Sequence, residues 1–245
     1  MEKSKNKTVI ISGSSSGLGA FLAKSFSLQG FNVVINYSKK RNEAKALEKE
    51  LSKTSNVKVI RGDVSKFSNV TNVVDQAIKQ FGRVDILINN AGIHIDEKVL
   101  KMKIKSWQKV IDINLTGVFN FSKAVLPQMI NQKFGRIINI SSFAAFEGIP
   151  GASNYVASKA GVIGFTRSLA KEVAKYNITV NAISPGYFDI GMFFDLSPNV
   201  RKKILEEIPA KRLGKPEEIS QLIKVIILSD YLTGRVFVLD GGFSS

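Results

Sequence analysis

The sequence predicts a doubly wound α/β fold, with one parallel sheet of about seven strands and helices on both faces. Two patterns predict it. Short β-branched runs alternate with longer amphipathic stretches along the 245 residues, and strands joined through helices pair in parallel by right-handed crossovers. Several runs are also apolar without alternation, as strands covered on both faces must be. No repeat, low-complexity tract or Pro/Gly/Ser-rich linker interrupts the series. Residues 1–245 are therefore expected to form a single domain.

The elements follow in order. Thr8–Ile11 reads as the first strand, and a helix begins after Gly17 and stops at Gly30, a residue suited to the left-handed position past a helix end. Asn32–Asn36, Val57–Ile60 and Val84–Ile88 are the next strands, separated by helical patterns over 41–54 and 67–81. The longest helical pattern covers about 106–131, and Pro127 is expected to kink or end it. Strands Arg136–Ile140, Ile178–Ile183 and Arg235–Leu239 complete the sheet, with helices over 154–176 and 216–229.

Composition excludes several chemistries. The 44% of apolar and 22% of charged residues suit a folded soluble protein. The absence of cysteine removes disulfides and thiolate chemistry, and a single histidine, His94, removes any histidine cluster, so no metal is expected. No stretch approaches the roughly 18 uninterrupted apolar residues of a membrane span. The charged segment Met1–Lys7 leads only into Val9-Ile10-Ile11, too short for a signal peptide, so a cytoplasmic location is expected. The net charge of +15 suits either nucleic acid or an anionic substrate. Its lysines are scattered (Lys39, Lys45, Lys66, Lys101, Lys133, Lys171, Lys202 and Lys224), and no RNA-binding or helix-turn-helix signature accompanies them, so nucleic acid is not the expected partner.

The first chemistry lies in Ser12-Gly13-Ser14-Ser15-Ser16-Gly17-Leu18-Gly19. Its glycines let the backbone turn tightly and approach a pyrophosphate, while the helix start behind them offers free N–H groups and a positive dipole end. A glycine-rich loop means little alone, but this one stands between a strand and a helix, where a dinucleotide site needs it. The spacing is G-x-x-x-G-x-G rather than G-x-G-x-x-G. With Asp63-Val64 after the third strand, Asn89-Asn90-Ala91-Gly92 after the fourth and Pro185-Gly186 after the sixth, the chain resembles the short-chain dehydrogenase/reductase family from about residue 6 to 243.

That resemblance implies a Rossmann fold holding a nicotinamide dinucleotide. Gly13, Ser15, Ser16, Gly17, Leu18 and Gly19 would line its pyrophosphate side, and Asp63 and Val64 its adenine. Asn90, Ala91 and Gly92 would lie along it, with Pro185, Gly186 and Phe188 toward the nicotinamide. The second strand ends Asn36-Tyr37-Ser38 and runs into Lys39-Lys40-Arg41. NAD sites place a carboxylate here for the ribose 2′-OH, whereas NADP sites place cations. NADP(H) is therefore expected over NAD(H). The same cations also suit a solvated helix start, and the arginine frequent in the family's loop is here Ser16.

Tyr155-Val156-Ala157-Ser158-Lys159 sets a phenol and an amine one helical turn apart. Tyrosine ionises near pH 10, and a neighbouring ammonium is expected to lower that value and fit the phenol for proton transfer. By resemblance, the serine thirteen residues earlier, Ser142, steadies the substrate oxygen, with Ser141 the less favoured neighbour. Asn114 matches the family's fourth catalytic member, implied to hold a water linking Lys159 to solvent. Asn114 also suits the patching of a helix irregularity, and Ser142 a strand-end cap.

Asp189–Pro209 is expected to lid the substrate. Phe193, Phe194 and Leu196, with Phe143, Phe146 and Ile149 after the serine, would build an apolar pocket mouth suited to an acyl or alkyl group, although the same aromatics also suit core packing. Tyr187 joins Ser142, Phe143, Tyr155 and Phe193 as an expected substrate contact. Ser184–Tyr187 and Ile208–Ile219 look like the 3-oxoacyl-[acyl carrier protein] reductases and acetoacetyl-CoA reductases, which implies reduction of a 3-oxoacyl thioester on CoA or acyl carrier protein. Positive charge suits either carrier. Lys133 matches a basic carrier-docking position, while a second such position is Tyr176. Two departures stand out: Ile190 replaces a threonine that usually binds the carboxamide, and His94-Ile95 replaces Thr-Arg. The glycine loop is shared with sugar and polyol dehydrogenases such as glucose 1-dehydrogenases, the rival enzyme reading, and a non-catalytic NADP sensor or scaffold is a rival of another class. The resemblance further implies a homotetramer.

Overall fold

The computed structural model describes residues 6–244; Met1–Lys5, most of the charged leading segment, and Ser245 lie outside them. Strands β1 (Thr8–Ile11), β2 (Asn32–Tyr37), β3 (Val57–Arg61), β4 (Ile86–Asn89), β5 (Gly135–Ile140), β6 (Ile178–Pro185) and β7 (Val236–Leu239) form one sheet in the order β3-β2-β1-β4-β5-β6-β7. Every pairing is parallel. Helices α1 (Gly17–Leu28), α2 (Arg41–Leu51), α3 (Phe67–Phe81), α4 (Ile104–Ile111), α5 (Gly117–Asn131), α6 (Ala144–Glu147), α7 (Ser153–Val173), α8 (Pro198–Glu207) and α9 (Pro216–Leu228) make the crossovers and the loop structure.

The unbroken apolar runs are explained by two cores, one on each face. Val9, Ile11, Val33, Ile35, Ile86, Ile88, Ile138 and Ile140 turn to one core, together with Leu22, Phe26 and Leu47 from α1 and α2. The alternate residues Ile10, Val34, Leu87 and Ile137 turn to the other, with Val73, Phe121, Val125 and Leu169 from α3, α5 and α7. Side chains alternate across a strand, so a sheet buried on both faces needs apolar residues at every position.

After β3 the chain crosses to the other side of β1 and lays down β4. The carboxyl ends of β1 and β4 therefore splay their loops apart, which is where an open α/β sheet makes its ligand crevice. The glycine loop follows β1, and the Asn89–Gly92 segment begins at the end of β4.

One expectation for the long helical pattern, that Pro127 could end it, is corrected. Pro127 neither ends nor divides α5, which continues to Asn131. It lies on the exposed side of the helix, so the carbonyl deprived of its N–H partner belongs to exposed Lys123, where water can satisfy it. The irregularity falls earlier instead. Residues Asp112–Thr116 form one π-helical turn between α4 and α5, and Asn114 lies buried within it. The expected lid is also more ordered than a loop, containing the 3₁₀ turn Gly191–Asp195 and α8. Among the described residues no helix is long and apolar enough to cross a membrane.

Candidate active site

The loop between β1 and α1 is pinned by its own serines and by the next two strands. Ser14 donates to the Ile11 carbonyl at 2.7 Å and accepts from the Asn36 amide at 3.1 Å. The Asn36 side chain accepts from Gly13 N–H at 3.3 Å and donates to the Gly62 carbonyl at 3.0 Å. Asn36 is buried, so its side chain shapes the loop from behind, and Tyr37 beside it packs into the core. Asn90 closes the other side, its amide donating to the Ser12 and Gly13 carbonyls at 3.0 and 3.2 Å. The Ser12 hydroxyl accepts from the N–H groups of Asn90 and Ala91. Ser12, Ser14 and Asn90 thus lock the two loops that flank the crevice.

This crevice fits a pyrophosphate. Helix α1 starts without a side-chain cap and without an acidic residue in its first turn, so Gly17, Leu18 and Gly19 bring unshielded backbone donors to it. Ser15 and Ser16 remain half-buried beside them. Close approach explains Gly13: a Cβ there would lie 2.9 Å from Ala91 Cα, and its φ is +61°. Lys40, in the segment after β2, donates from Nζ to Ser16 Oγ at 3.2 Å. Exposed Ser38 lies near Arg61, whose Nε donates to the Ser38 carbonyl at 3.3 Å. Asp63 accepts from Ser65 N–H and hydroxyl, while Val64 is buried under α5.

The catalytic candidates converge on the carboxyl ends of β4 and β5. The Ser142 side chain stands beside the Tyr155 phenol and acts on it, while its Oγ accepts from Ala144 N–H at 3.2 Å. Ser141, the adjacent serine, turns away and donates to the Lys159 carbonyl at 2.9 Å. The geometry therefore separates the two serines, and Ser142 is the one beside the phenol. Lys159 is buried, donates from Nζ to the Ile140 carbonyl at 2.8 Å, and lies 5.6 Å from the Tyr155 ring centroid. A Cβ on Gly92 would stand 3.5 Å from both Lys159 Nζ and Asn114 Oδ1, so this glycine keeps the ground between them open. Asn114 accepts from Ile93 N–H at 2.8 Å and donates to the Ile93 carbonyl at 2.9 Å and to Ser158 Oγ at 3.1 Å.

Electrostatics correct one expectation. The Tyr155 phenol is pushed above its ordinary value, chiefly by burial; Ser142 works in the opposite direction, while Asp96 and Tyr187 add to the rise. Lys159 does not reverse this, because burial pushes its own ammonium down to about 8. Asp96 in turn pairs with His94 Nδ1 at 3.3 Å, and the histidine that replaces the family's threonine is exposed.

The depressed Lys159 makes a testable stability statement. The folded chain releases its proton near pH 8 and the unfolded chain near 10.5, so unfolding takes up a proton between those values and stability rises with pH there. At pH 7 the buried charge is a cost of up to about 3 kcal/mol, against about 1 kcal/mol for the hydrogen bond to Ile140. Lys159→Met is expected to raise the unfolding midpoint at pH 7 by roughly 5 °C. The gain should shrink as pH approaches 10, as calorimetry at both values will show.

Beyond Ser142 the wall is aromatic. Phe143 and Phe193 are buried, Tyr187 is partly so, and their rings meet at 5.0 Å (Phe143–Tyr187) and 6.0 Å (Tyr187–Phe193). Phe146 stays exposed, outside this cluster. Phe194 is also exposed, while touching Phe193 at 5.7 Å. The ring of Phe188 is buried in the main core against Gly214, away from the crevice's surface. Ile190 packs on the same core. Pro185 ends β6 and Gly186 follows it against Asp240, to whose Cβ a Gly186 side chain would come within 2.6 Å. Sequence reasoning missed Lys40's bond to Ser16, the locks at Ser12 and Ser14, and Phe243, whose ring lies 5.0 Å from Phe143. Lys133 and Tyr176 precede β5 and β6, whereas the site lies past their far ends, about 20 Å away along the strands. The implied carrier-docking position therefore does not flank the site of its own chain. Among the described residues no three His, Cys, Asp or Glu side chains are grouped to share a metal ion.

Comparison with known proteins agrees with this architecture. The model of the short chain dehydrogenase family matches residues 7–200. A 3-oxoacyl-[acyl-carrier-protein] reductase of Staphylococcus epidermidis is 40% identical over 242 residues, covering 97% of this chain and 98% of that protein. One from a Synechocystis species is 40% identical over 240 residues, covering 96% of each chain. A third, from Staphylococcus aureus, is 38% identical over 240 residues, covering 96% of this chain and 97% of its own. With the glycine loop, the sheet order and the Ser142, Tyr155 and Lys159 cluster in place, the chain belongs to the short-chain dehydrogenase family and is an oxidoreductase that works with a nicotinamide cofactor.

Proposed function

We propose that the protein reduces the 3-oxo group of an acyl thioester, on acyl carrier protein or CoA, to the 3-hydroxyacyl thioester with NADPH. The carrying observation is the pairing of Ser142 with the Tyr155 phenol, set beside buried Lys159 and an aromatic, uncharged wall. The relatives named for 3-oxoacyl-[acyl-carrier-protein] reduction over nearly their whole length support the substrate. The described chain acts as one catalytic domain, cytoplasmic in this reading, with residues 189–209 as its lid.

Bound NADPH supplies the hydride; everything else falls to the chain. Ser142 and Tyr155 hold the carbonyl oxygen between two hydroxyls, where negative charge gathers as the carbon is reduced. Burial keeps the Tyr155 phenol protonated, which suits an acid that donates its proton to that oxygen. Lys159 holds one donor on Ile140, and the rest of its ammonium would bind the nicotinamide ribose beside Tyr155. Asn114 fixes the loop at Ile93 and offers a second lone pair on Oδ1 to a water leading to solvent.

NADPH rather than NADH is supported by Lys40 on Ser16, with Lys39 and Arg41 adjacent and no acid at the end of β2. Replacing Lys40 with Glu is expected to raise KM for NADPH by about 10- to 100-fold, the worth of one charge-assisted hydrogen bond, while KM for NADH stays nearly constant. Equal changes for both cofactors would remove Lys40 from 2′-phosphate recognition.

The substrate is tested by equal-concentration assays of acetoacetyl-CoA with NADPH and of glucose with NADP. Faster turnover of acetoacetyl-CoA is expected; faster glucose oxidation would favour the sugar dehydrogenase. Tight NADPH binding without turnover of any carbonyl would favour a sensor or scaffold. A salt-dependent mobility shift with DNA or RNA would reopen nucleic-acid binding. A homotetramer, readable by light scattering, is supported by apolar side chains exposed on α4, α5 and β7, namely Ile104, Trp107, Phe119 and Val238.

A further inference from the structure

The ends of three neighbouring strands each bring one ring to the same place. Phe143 follows β5, Tyr187 follows β6 and Phe243 follows β7. Phe243 lies 5.0 Å from Phe143 and 5.4 Å from Tyr187, edge-on to both. Phe143 is buried, as is Phe193 from the lid, whereas Tyr187 and Phe243 keep accessible surface. Of the rings in this cluster beyond Ser142, Tyr187 and Phe243 are the two that keep surface an acyl chain can meet.

Phe243 is held there by a built turn. The Asp240 carboxylate accepts from Gly242 N–H at 3.0 Å and Ser244 N–H at 2.9 Å, and from the Ser244 hydroxyl. Gly241 adopts a φ of +69° and its carbonyl accepts from Ala210 N–H at 3.1 Å, tying the turn to the root of the lid. Phe193, Ile204 and Ile208 of the lid form a small separate core, and Tyr187 and Phe243 pack against it. Wall and lid thus share the Phe243 ring.

We propose that Phe243 is a specificity-determining residue: its ring closes the acyl side of the pocket and restricts the enzyme to short 3-oxoacyl chains. This rests on the 3-oxoacyl reading above. An added methylene in a filled apolar pocket changes selection by one to two orders of magnitude, so removing a ring at the pocket's end should be read directly in chain-length preference.

The test compares kcat/KM for acetoacetyl-CoA and 3-oxooctanoyl-CoA with NADPH in the full chain and in Phe243→Ala, Phe243→Leu and Asp240→Asn. Phe243→Ala is expected to raise the eight-carbon to four-carbon ratio at least about tenfold, with KM for NADPH within about twofold. Phe243→Leu should fall between, and Asp240→Asn, which loosens the turn without touching substrate, should move the ratio the same way. A folded, active Phe243→Ala whose ratio stays within twofold of the original overturns the proposal; if that variant does not fold, the same criterion applies to Phe243→Leu. Inactivity of the unaltered protein toward both thioesters, beside activity on another carbonyl, would instead overturn the 3-oxoacyl reading and this proposal with it, before any variant is made.

Discussion

Tyr155→Phe is expected to lower kcat at least about a thousandfold while leaving the Kd for NADPH within about twofold. The change removes one oxygen. That oxygen stands beside Ser142 and is the acidic group of the cluster whose burial keeps it protonated. Lys159 keeps its bond to Ile140 in the variant, so the floor of the site is untouched. Fluorescence titration with NADPH and steady-state assays read the two quantities separately. Retained turnover would show that proton transfer runs through another group. Ser142→Ala should cost less, about a hundredfold, because it removes one of two hydroxyls from the developing charge and leaves the acid in place.

The second large effect lies in the glycine loop. A Cβ on Gly19 would sit 2.7 Å from the Gly13 carbonyl oxygen, 2.8 Å from Ser14 Cα and 2.6 Å from Asn90 Nδ2. Two of these are backbone atoms, so the loop must move, and with it the donors that would face a pyrophosphate. Gly19→Ala is expected to weaken NADPH binding by about 50-fold or more and to cost about 1–3 kcal/mol of stability through overpacking. Gly30→Ala is the control. Its φ is +82° but nothing stands within 4 Å of the added carbon. It should cost only about 1 kcal/mol of backbone strain and leave NADPH affinity unchanged. If both variants bound NADPH equally well, crowding at Gly19 would have no part in shaping the site.

The strands were legible because each is buried on both faces. All seven fall within two residues of the boundaries read from apolar runs, and the residues that alternate between the two cores are the reason those runs do not alternate in hydropathy. The tyrosine and lysine were legible for a different reason, since their spacing on one helix is a local property. What could not be read depends on contacts distant in sequence. Lys40 finds Ser16 across 24 positions. Phe243 belongs to no motif, and its place is set by the turn that Asp240 gathers. The sign of the Tyr155 shift was misjudged because charge proximity was weighed without burial, which acts on phenol and amine alike.

The π turn at Asp112–Thr116 has a further consequence. A π turn holds one residue more than the α repeat, and one residue of an α-helix is about 100° of rotation. Deleting a single residue there would restore an ordinary, intrinsically better helix, yet it would swing α4 about a third of a revolution around α5. Asn114 would lose Ile93 and Ser158, or Gly117 would lose its seat on Val64, since the two cannot then face their partners together. The bulge is thus a phase shifter between two half-helices, and shortening it would trade local regularity for a misaligned active centre.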